Sequence, residues 1–209
     1  MTKHEFSGEL IMDEEKKEEV EFFNKRAEDW DENVPQKSIE VAEDFIKDYK
    51  IGKKDSILDV GCGTGILYSI LEDRNPSYYL GLDISPKMLE VFKNKFPEAN
   101  VKKIDFETNI ELNKTFDYVI IFDTIPHLEK IDMVFKNAHK QLKIGGQLLI
   151  VHSKTRKGLK KHHDQIEHNQ EDPIPSDEVL RLMSWTYGFE DMVIKDDNYF
   201  LFSAKKKRN

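Results

Sequence analysis

Short apolar runs alternate with stretches of helical period along most of this chain. Residues 14–28 predict a strongly charged helix whose apolar positions are Val20, Phe22, Phe23 and Ala27. From Ser38, a predicted N-cap, Ile39, Ala42, Phe45, Ile46 and Tyr49 share one helical face, and Gly52 closes the element. Residues 56–60 predict a strand, Gly65 opens a helix carrying Ile66, Leu67, Ile70 and Leu71, and residues 78–82 predict a second strand. Ser85-Pro86 supplies the cap and first-turn residues of the next helix, with Met88, Leu89 and Phe92 inward. Residues 100–104 and 116–122 are expected as the third and fourth strands, the latter from β-branched Val119, Ile120 and Ile121. A helix over 132–142 is expected to stop at Gly145-Gly146, ahead of a fifth strand at 147–151. Ser176 starts a last helix running to Tyr187, in which Trp185 is expected in the core. Two closing strands, 190–195 and 199–204, flank the turn Asp196-Asp197-Asn198.

Strands that alternate with helices imply a parallel sheet covered on both faces, because parallel neighbours need a crossover. The closing pair lacks a helix between its strands and so adds one antiparallel strand near the C-terminus. The expected class is therefore α/β, a doubly wound, mostly parallel sheet. Residues 1–50 form an N-terminal helical cap segment in this reading and 51–209 the core, with 152–175 placed to cover a substrate as a lid.

Composition narrows the classes. The longest apolar runs, such as 118–122 and 148–151, fall far short of the roughly 20 residues a membrane-spanning helix needs. Acids rather than an apolar stretch follow the first residues, so no signal peptide is expected. The single cysteine, Cys62, excludes an intrachain disulfide and a cysteine-cluster metal site. A cytoplasmic protein is expected. Net charge is −8, concentrated in residues 13–32, where ten acids meet four bases. Such a field repels phosphates, and neither DNA nor a membrane is an expected partner. Two basic runs interrupt it: Lys154, Arg156, Lys157, Lys160 and Lys161 read as a charged loop, and Lys205 to Arg208 as solvated surface or tail. Oligomeric state leaves no mark on the pattern.

Chemistry gathers at the predicted strand ends. The first strand runs into Asp59-Val60-Gly61-Cys62-Gly63-Thr64-Gly65 and directly into a helix. Glycines there permit a tight turn and a ligand lying against the backbone, and the helix start favours a negative group. The dinucleotide fingerprint GxGxxG fails, because its third glycine falls on Ile66 or Tyr68, and no Gly-Lys-Ser/Thr phosphate loop follows. The second strand ends at Asp83, where a carboxylate can accept both hydroxyls of a ribose, and Ile84 offers an apolar face to a base. At the third strand end, Asp105 can accept from an exocyclic amine while Phe106 supplies an aromatic wall.

The segments 57–65, 81–85 (Gly-Leu-Asp-Ile-Ser) and 142–150 (Leu-Lys-Ile-Gly-Gly-Gln-Leu-Leu-Ile) resemble class I S-adenosylmethionine-dependent methyltransferases. Residues 22–30 also look like the N-terminal segment of the family's small-molecule members. The resemblance implies a Rossmann-like seven-stranded sheet with S-adenosyl-L-methionine over the ends of strands one to four. Gly61, Gly63 and Gly65 would contact the methionine moiety, Asp59 would support their loop, and Phe122 would lie near the transferring methyl. Asp83 would hold the ribose, Ile84 would pack on adenine, and Asp105 with Phe106 would meet its amino group and ring edge.

The acceptor is less legible. The fourth strand ends in Phe122-Asp123-Thr124-Ile125-Pro126-His127, without the Pro-Pro-aromatic pattern of base-amine methylation or a Pro-Cys nucleophile. A small-molecule acceptor is favoured, with anionic or aromatic molecules in view. His127 and His163 are the candidate catalytic bases, with His162 beside the second. His152, His162, His163 and His168 place four of the seven histidines in the expected lid, without a clean metal-ligand pattern, and no metal is expected. Trp30 or Phe23 could close over the cofactor. Aminopropyl transfer, non-catalytic binding of the cofactor or its product, and a protein or RNA acceptor docked on residues 154–161 remain open alternatives.

Overall fold

The computed structural model describes residues 14–164 and 173–208, the side chains of 162–164 excepted. Seven strands form one sheet: β1 (Ser56–Val60), β2 (Tyr78–Asp83), β3 (Val101–Lys103), β4 (Phe116–Phe122), β5 (Leu142–His152), β6 (Phe189–Asp196) and β7 (Phe200–Lys206). Their order is β3-β2-β1-β4-β5-β7-β6. β1 to β5 pair in parallel, and β7 runs antiparallel to both β5 and β6. This is the expected doubly wound architecture, with β7 as its single reversed strand. The chain order reverses at β1, between β2 and β4, and a crevice opens beyond the strand ends at such a switch point.

Seven helices accompany the sheet among the described residues: α1 (Glu14–Arg26), α2 (Gln36–Asp48), α3 (Ile66–Leu71), α4 (Pro86–Lys95), α5 (Ile131–Gln141), α6 (Arg156–Asp164) and α7 (Asp177–Thr186). Strand residues alternate between two cores. Ile57, Tyr79, Ile120, Leu149 and Leu201 pack on Val41 and Phe45 of α2, Leu67 of α3 and Phe92 of α4. Leu58, Leu80, Val119, Leu148 and Phe202 face the opposite layer, with Phe135 of α5 and Leu180 of α7. Because β1 and the centre of the sheet are covered on both faces, their residues are buried in unbroken runs rather than alternately.

Four local expectations differ from the fold. Ser38 lies inside α2, which begins after Pro35; its hydroxyl donates to Asp123 Oδ2 at 2.9 Å instead of capping the helix. Gly145 and Gly146 do not end α5, which stops at Gln141, but sit within a longer β5. Gly145 has φ +77° and the register slips between Phe116 and Tyr118, while a side chain on Gly146 would meet the Phe116 and Asp117 carbonyl oxygens at 3.0 Å. These glycines build a bulge, which the sequence disguises as a helix stop. Trp185 is 68% exposed, because the buried positions of α7 are Leu180 and Ser184, and Trp185 and Leu182 fall on the far side.

The fourth difference concerns the basic runs, several members of which are structural. Lys206 Nζ donates to the carbonyls of His139 and Leu142 at 2.7 and 2.9 Å, satisfying acceptors at the end of α5. Lys205 pairs with Asp191. Arg156 donates to the Pro175 carbonyl, pairs with Asp177, and lies over the Phe200 ring.

Candidate active site

The segment following β1 turns through three glycines in the left-handed region, Gly61 at +73°, Gly63 at +52° and Gly65 at +99°. Each has a separate reason to lack a side chain. A Cβ on Gly61 would overlap the Thr124 side chain, and one on Gly65 would come within 2.9 Å of the Phe92 ring. Gly63 has open space, and it lines a cavity of about 240 Å³. The loop is pulled onto β2 by the Gly61 and Cys62 N–H groups, which both donate to the Leu82 carbonyl at 2.8 and 3.0 Å. Gly65 is not among the cavity-lining residues; it starts α3 and packs toward Phe92 and Phe96.

Asp83 closes β2 at the cavity wall. Its Oδ2 accepts from Gly63 N–H and its Oδ1 from Ser85 N–H, both at 2.8 Å. Burial raises its pKa and these backbone donors oppose the shift. Each carboxylate oxygen retains lone-pair capacity for a further donor. Ile84, Asp105, Phe106 and Phe122 line the same cavity, so the acids and apolar residues expected at three strand ends do converge. Asp105 Oδ1 accepts from Glu107 N–H at 2.8 Å, which orders the turn beyond β3. Asp59 lies behind the loop rather than in the cavity wall. It is fully buried and accepts from Tyr79 OH at 2.6 Å. Burial pushes its carboxyl up to about 7, the Tyr79 hydrogen bond pulls it back, and nearby Asp83 adds to the rise.

The N-terminal segment closes the cavity. Phe23 and Trp30 both line it and meet edge-on at 5.7 Å. Three side-chain ties hold the segment to the core, one at each strand-end loop. Lys16 Nζ reaches Glu107 Oε2 at 2.6 Å, Ser85 Oγ donates to Asn24 Oδ1 at 2.8 Å, and Thr64 Oγ1 donates to Asp31 Oδ1 at 2.5 Å. Burial alone would lower the Lys16 ammonium's pKa, but its hydrogen bonds to Glu107 and Glu19 outweigh that and hold it above the ordinary value.

Beyond β4, a 3-10 turn places His127 in the cavity wall, with Phe23 edge-on at 5.0 Å and Glu19 Oε1 3.6 Å from its Nδ1. Asp123 also lines the cavity, in a left-handed conformation (φ +51°) uncommon for a residue with a side chain. Its carboxylate is fixed by Ser38 Oγ and by the Ser153 N–H at 2.6 Å. His152 belongs to β5 rather than to a lid. It is buried, and its Nδ1 accepts from Lys154 N–H at 3.0 Å. The side chains of His162 and His163, and His168 altogether, lie outside the described residues. Among the described residues no cluster of three or more His, Cys, Asp or Glu side chains is placed to hold a metal.

Lys16, Glu19, Glu107, Asp123 and Asp31 are the site residues that sequence reasoning missed. Lys16 and Glu19 look like members of a charge run, and nothing in the pattern joins Lys16 to a carboxylate 91 positions away. Asp123 carried the one available signal, its place directly after a strand that ends in the crevice.

Comparison with known proteins fits this geometry. Residues 58–150 match the family model for a methyltransferase domain. The chain is 32% identical over 154 residues to a ubiquinone biosynthesis O-methyltransferase of Pelagibacter ubique, covering 64% of this chain and 63% of that protein. It is 38% identical over 95 residues to a malonyl-[acyl-carrier protein] O-methyltransferase of Acetivibrio thermocellus, covering 44% and 33% respectively. The chain thus spans less than two thirds of either relative. Among solved structures, Haemonchus contortus phosphoethanolamine N-methyltransferase 2, in complex with phosphomonomethylethanolamine and S-adenosylhomocysteine, superposes with a TM-score of 0.61 at 18% identity, over 78% of this chain and 51% of that one. Residues 58–150 thus match a methyltransferase domain, and the sheet order and glycine loop agree with the resemblance to the class I, S-adenosylmethionine-dependent family.

Proposed function

We propose that this protein transfers a methyl group from S-adenosylmethionine to a small-molecule acceptor. The observation that carries the reading is Asp83, its carboxylate set in the cavity wall between the open backbone at Gly63 and the apolar side chain of Ile84. The wall fits the cofactor chemically: a carboxylate for ribose hydroxyls, Ile84 and Phe106 for a purine, Asp105 for its amine, and the glycine backbone at Gly61 and Gly63 for the amino-acid end. When bound, the cofactor supplies an electrophilic methyl on a sulfonium, and transfer is an in-line displacement that needs no covalent help from the protein.

The work left to the chain is to bring the reactants into line, exclude water and handle any proton. Gly61, Gly63 and Asp83 hold the cofactor, with Asp59 fixing their loop from behind. Gly65 serves by letting α3 start close to α4. Phe122 borders the methionine end, and Phe23 and Trp30 close the cavity from the N-terminal cap segment. His127 receives the acceptor's proton. The Pelagibacter relative, named for ubiquinone biosynthesis, supports a small acceptor.

Calorimetric titration of S-adenosylmethionine and S-adenosylhomocysteine tests the reading. Both should bind the wild-type protein, and Asp83→Ala should weaken binding at least tenfold, about 1.4 kcal/mol. Absence of binding of either compound to the wild-type protein would overturn it.

A further inference from the structure

A line of charged side chains crosses from the core to the cap and back beside the cavity. Glu107, whose side chain is 2% exposed, accepts from the Lys130 backbone N–H through Oε1 and from Lys16 Nζ through Oε2. Lys16 also donates to Glu19 Oε2 at 2.7 Å, which leaves Glu19 Oε1 facing His127 Nδ1 at 3.6 Å. Lys16, Glu19 and His127 all line the cavity, and Phe23 braces the imidazole ring edge-on. A carboxylate against one imidazole nitrogen orients the ring and favours its protonated form, which makes the other nitrogen a better proton acceptor.

We infer that Glu19 is a positioning residue that holds His127 as general base, and that the acceptor carries a hydroxyl or an amine proton it must lose on methylation. The inference rests on the methyl-transfer reading above. As the acceptor oxygen or nitrogen bonds to the methyl carbon, the electron pair of the broken S–CH₃ bond stays on sulfur. S-adenosylhomocysteine departs, and the acceptor's proton passes to His127 Nε2. The resulting imidazolium faces Glu19 and returns the proton to solvent once the product leaves. Because Glu19 and Lys16 both belong to α1, the base is complete only while the cap is seated.

Glu19 faces the ring from α1, and the charges that act on Glu19 in turn are Lys16 of the same helix, Glu107 from the turn after β3 and Glu129. Burial raises the pKa of Glu19, and its hydrogen bond with Lys16 opposes the rise.

The test follows the His127 Cε1–H resonance through a pH titration by NMR, in protein saturated with S-adenosylhomocysteine and assigned by its loss in His127→Asn. His127 should titrate about half a pH unit or more lower in Glu19→Gln than in wild type, and Glu19→Asp should recover part of the difference. An unchanged His127 titration in Glu19→Gln, with S-adenosylhomocysteine still bound, would refute the positioning role and leave the methyl-transfer reading intact. Failure of the wild-type protein to bind S-adenosylhomocysteine would instead remove that reading and this one together.

Discussion

Asp59 illustrates how a single buried residue behind the glycine loop shapes the pH response of the fold. Its ordinary pKa of 3.8 rises to about 7 in the folded chain, chiefly through burial. Between those values the native protein holds a proton that the unfolded chain has released, so stability declines as pH climbs through this window. Asp83 and Glu19, also raised, act in the same direction, while His139, lowered by burial, opposes them below its ordinary 6.5. Denaturant unfolding at pH 5 and pH 8 should therefore show wild type losing more stability across the interval than Asp59→Asn, which keeps an acceptor for Tyr79 and sheds the charge. Equal losses would show that the folded state does not raise the Asp59 carboxyl. At this scale the glycine loop and its acids were legible because their chemistry is local: turn geometry and strand-end position follow from neighbours in sequence. Lys16, Glu107 and Glu19 were illegible because their roles arise only when α1 lies across the loop after β3.

At the scale of elements, α1 and the turn that follows it form a cover held by side-chain ties rather than by a broad apolar face. Val20 is the only buried side chain of α1, and the ties reach Glu107, Ser85 and Thr64 in three separate loops. The Ser85 and Thr64 ties are weak singly, since a part-exposed hydrogen bond contributes about 1 kcal/mol. Removing the Ser85 and Thr64 ties with Asn24→Ala/Asp31→Ala, which also loses the Asp31 ion pair with Lys95, should leave the melting temperature nearly unchanged. It should also speed S-adenosylhomocysteine release about fivefold, the equivalent of about 1 kcal/mol in the closed state. Stopped-flow displacement measures this, and an unaltered release rate would show that the cover does not gate exchange. Element type was legible wherever periodicity and capping agreed, as at Ser85-Pro86, where Ser85 caps α4 as expected. The strand at β5 was read but its start was missed, because paired glycines carry the same signal for a helix end and for a bulge.

Over the whole molecule, the two cores stabilise the fold and the surface tolerates change. Phe135 is fully buried and touches the Phe189 and Phe202 rings, so Phe135→Ala should cost about 3–5 kcal/mol in urea unfolding. Trp185→Ser and Leu182→Ser lie on the exposed side of α7 and should each change stability by less than about 0.5 kcal/mol. A large loss from either would mean that this side of α7 is covered in solution. The sheet class was legible from the alternation of elements, and even the reversed strand followed from the missing helix between the last two runs.

That reversed strand has a consequence for the order in which the molecule can be made. β7 is the last strand along the sequence, yet it lies between β5 and β6 and supplies Phe200, Phe202 and Ala204 to one core and Leu201 to the other. During synthesis from the N-terminus, the outer edge of β5 stays unpaired until residues 200–206 have emerged, and β6 has no neighbour to join. The glycine loop, α4 and β1 to β4 can settle earlier, but β5 waits with its backbone donors and acceptors open, the state in which chains associate wrongly. Chaperone dependence should therefore concentrate in the interval between emergence of β5 and emergence of β7.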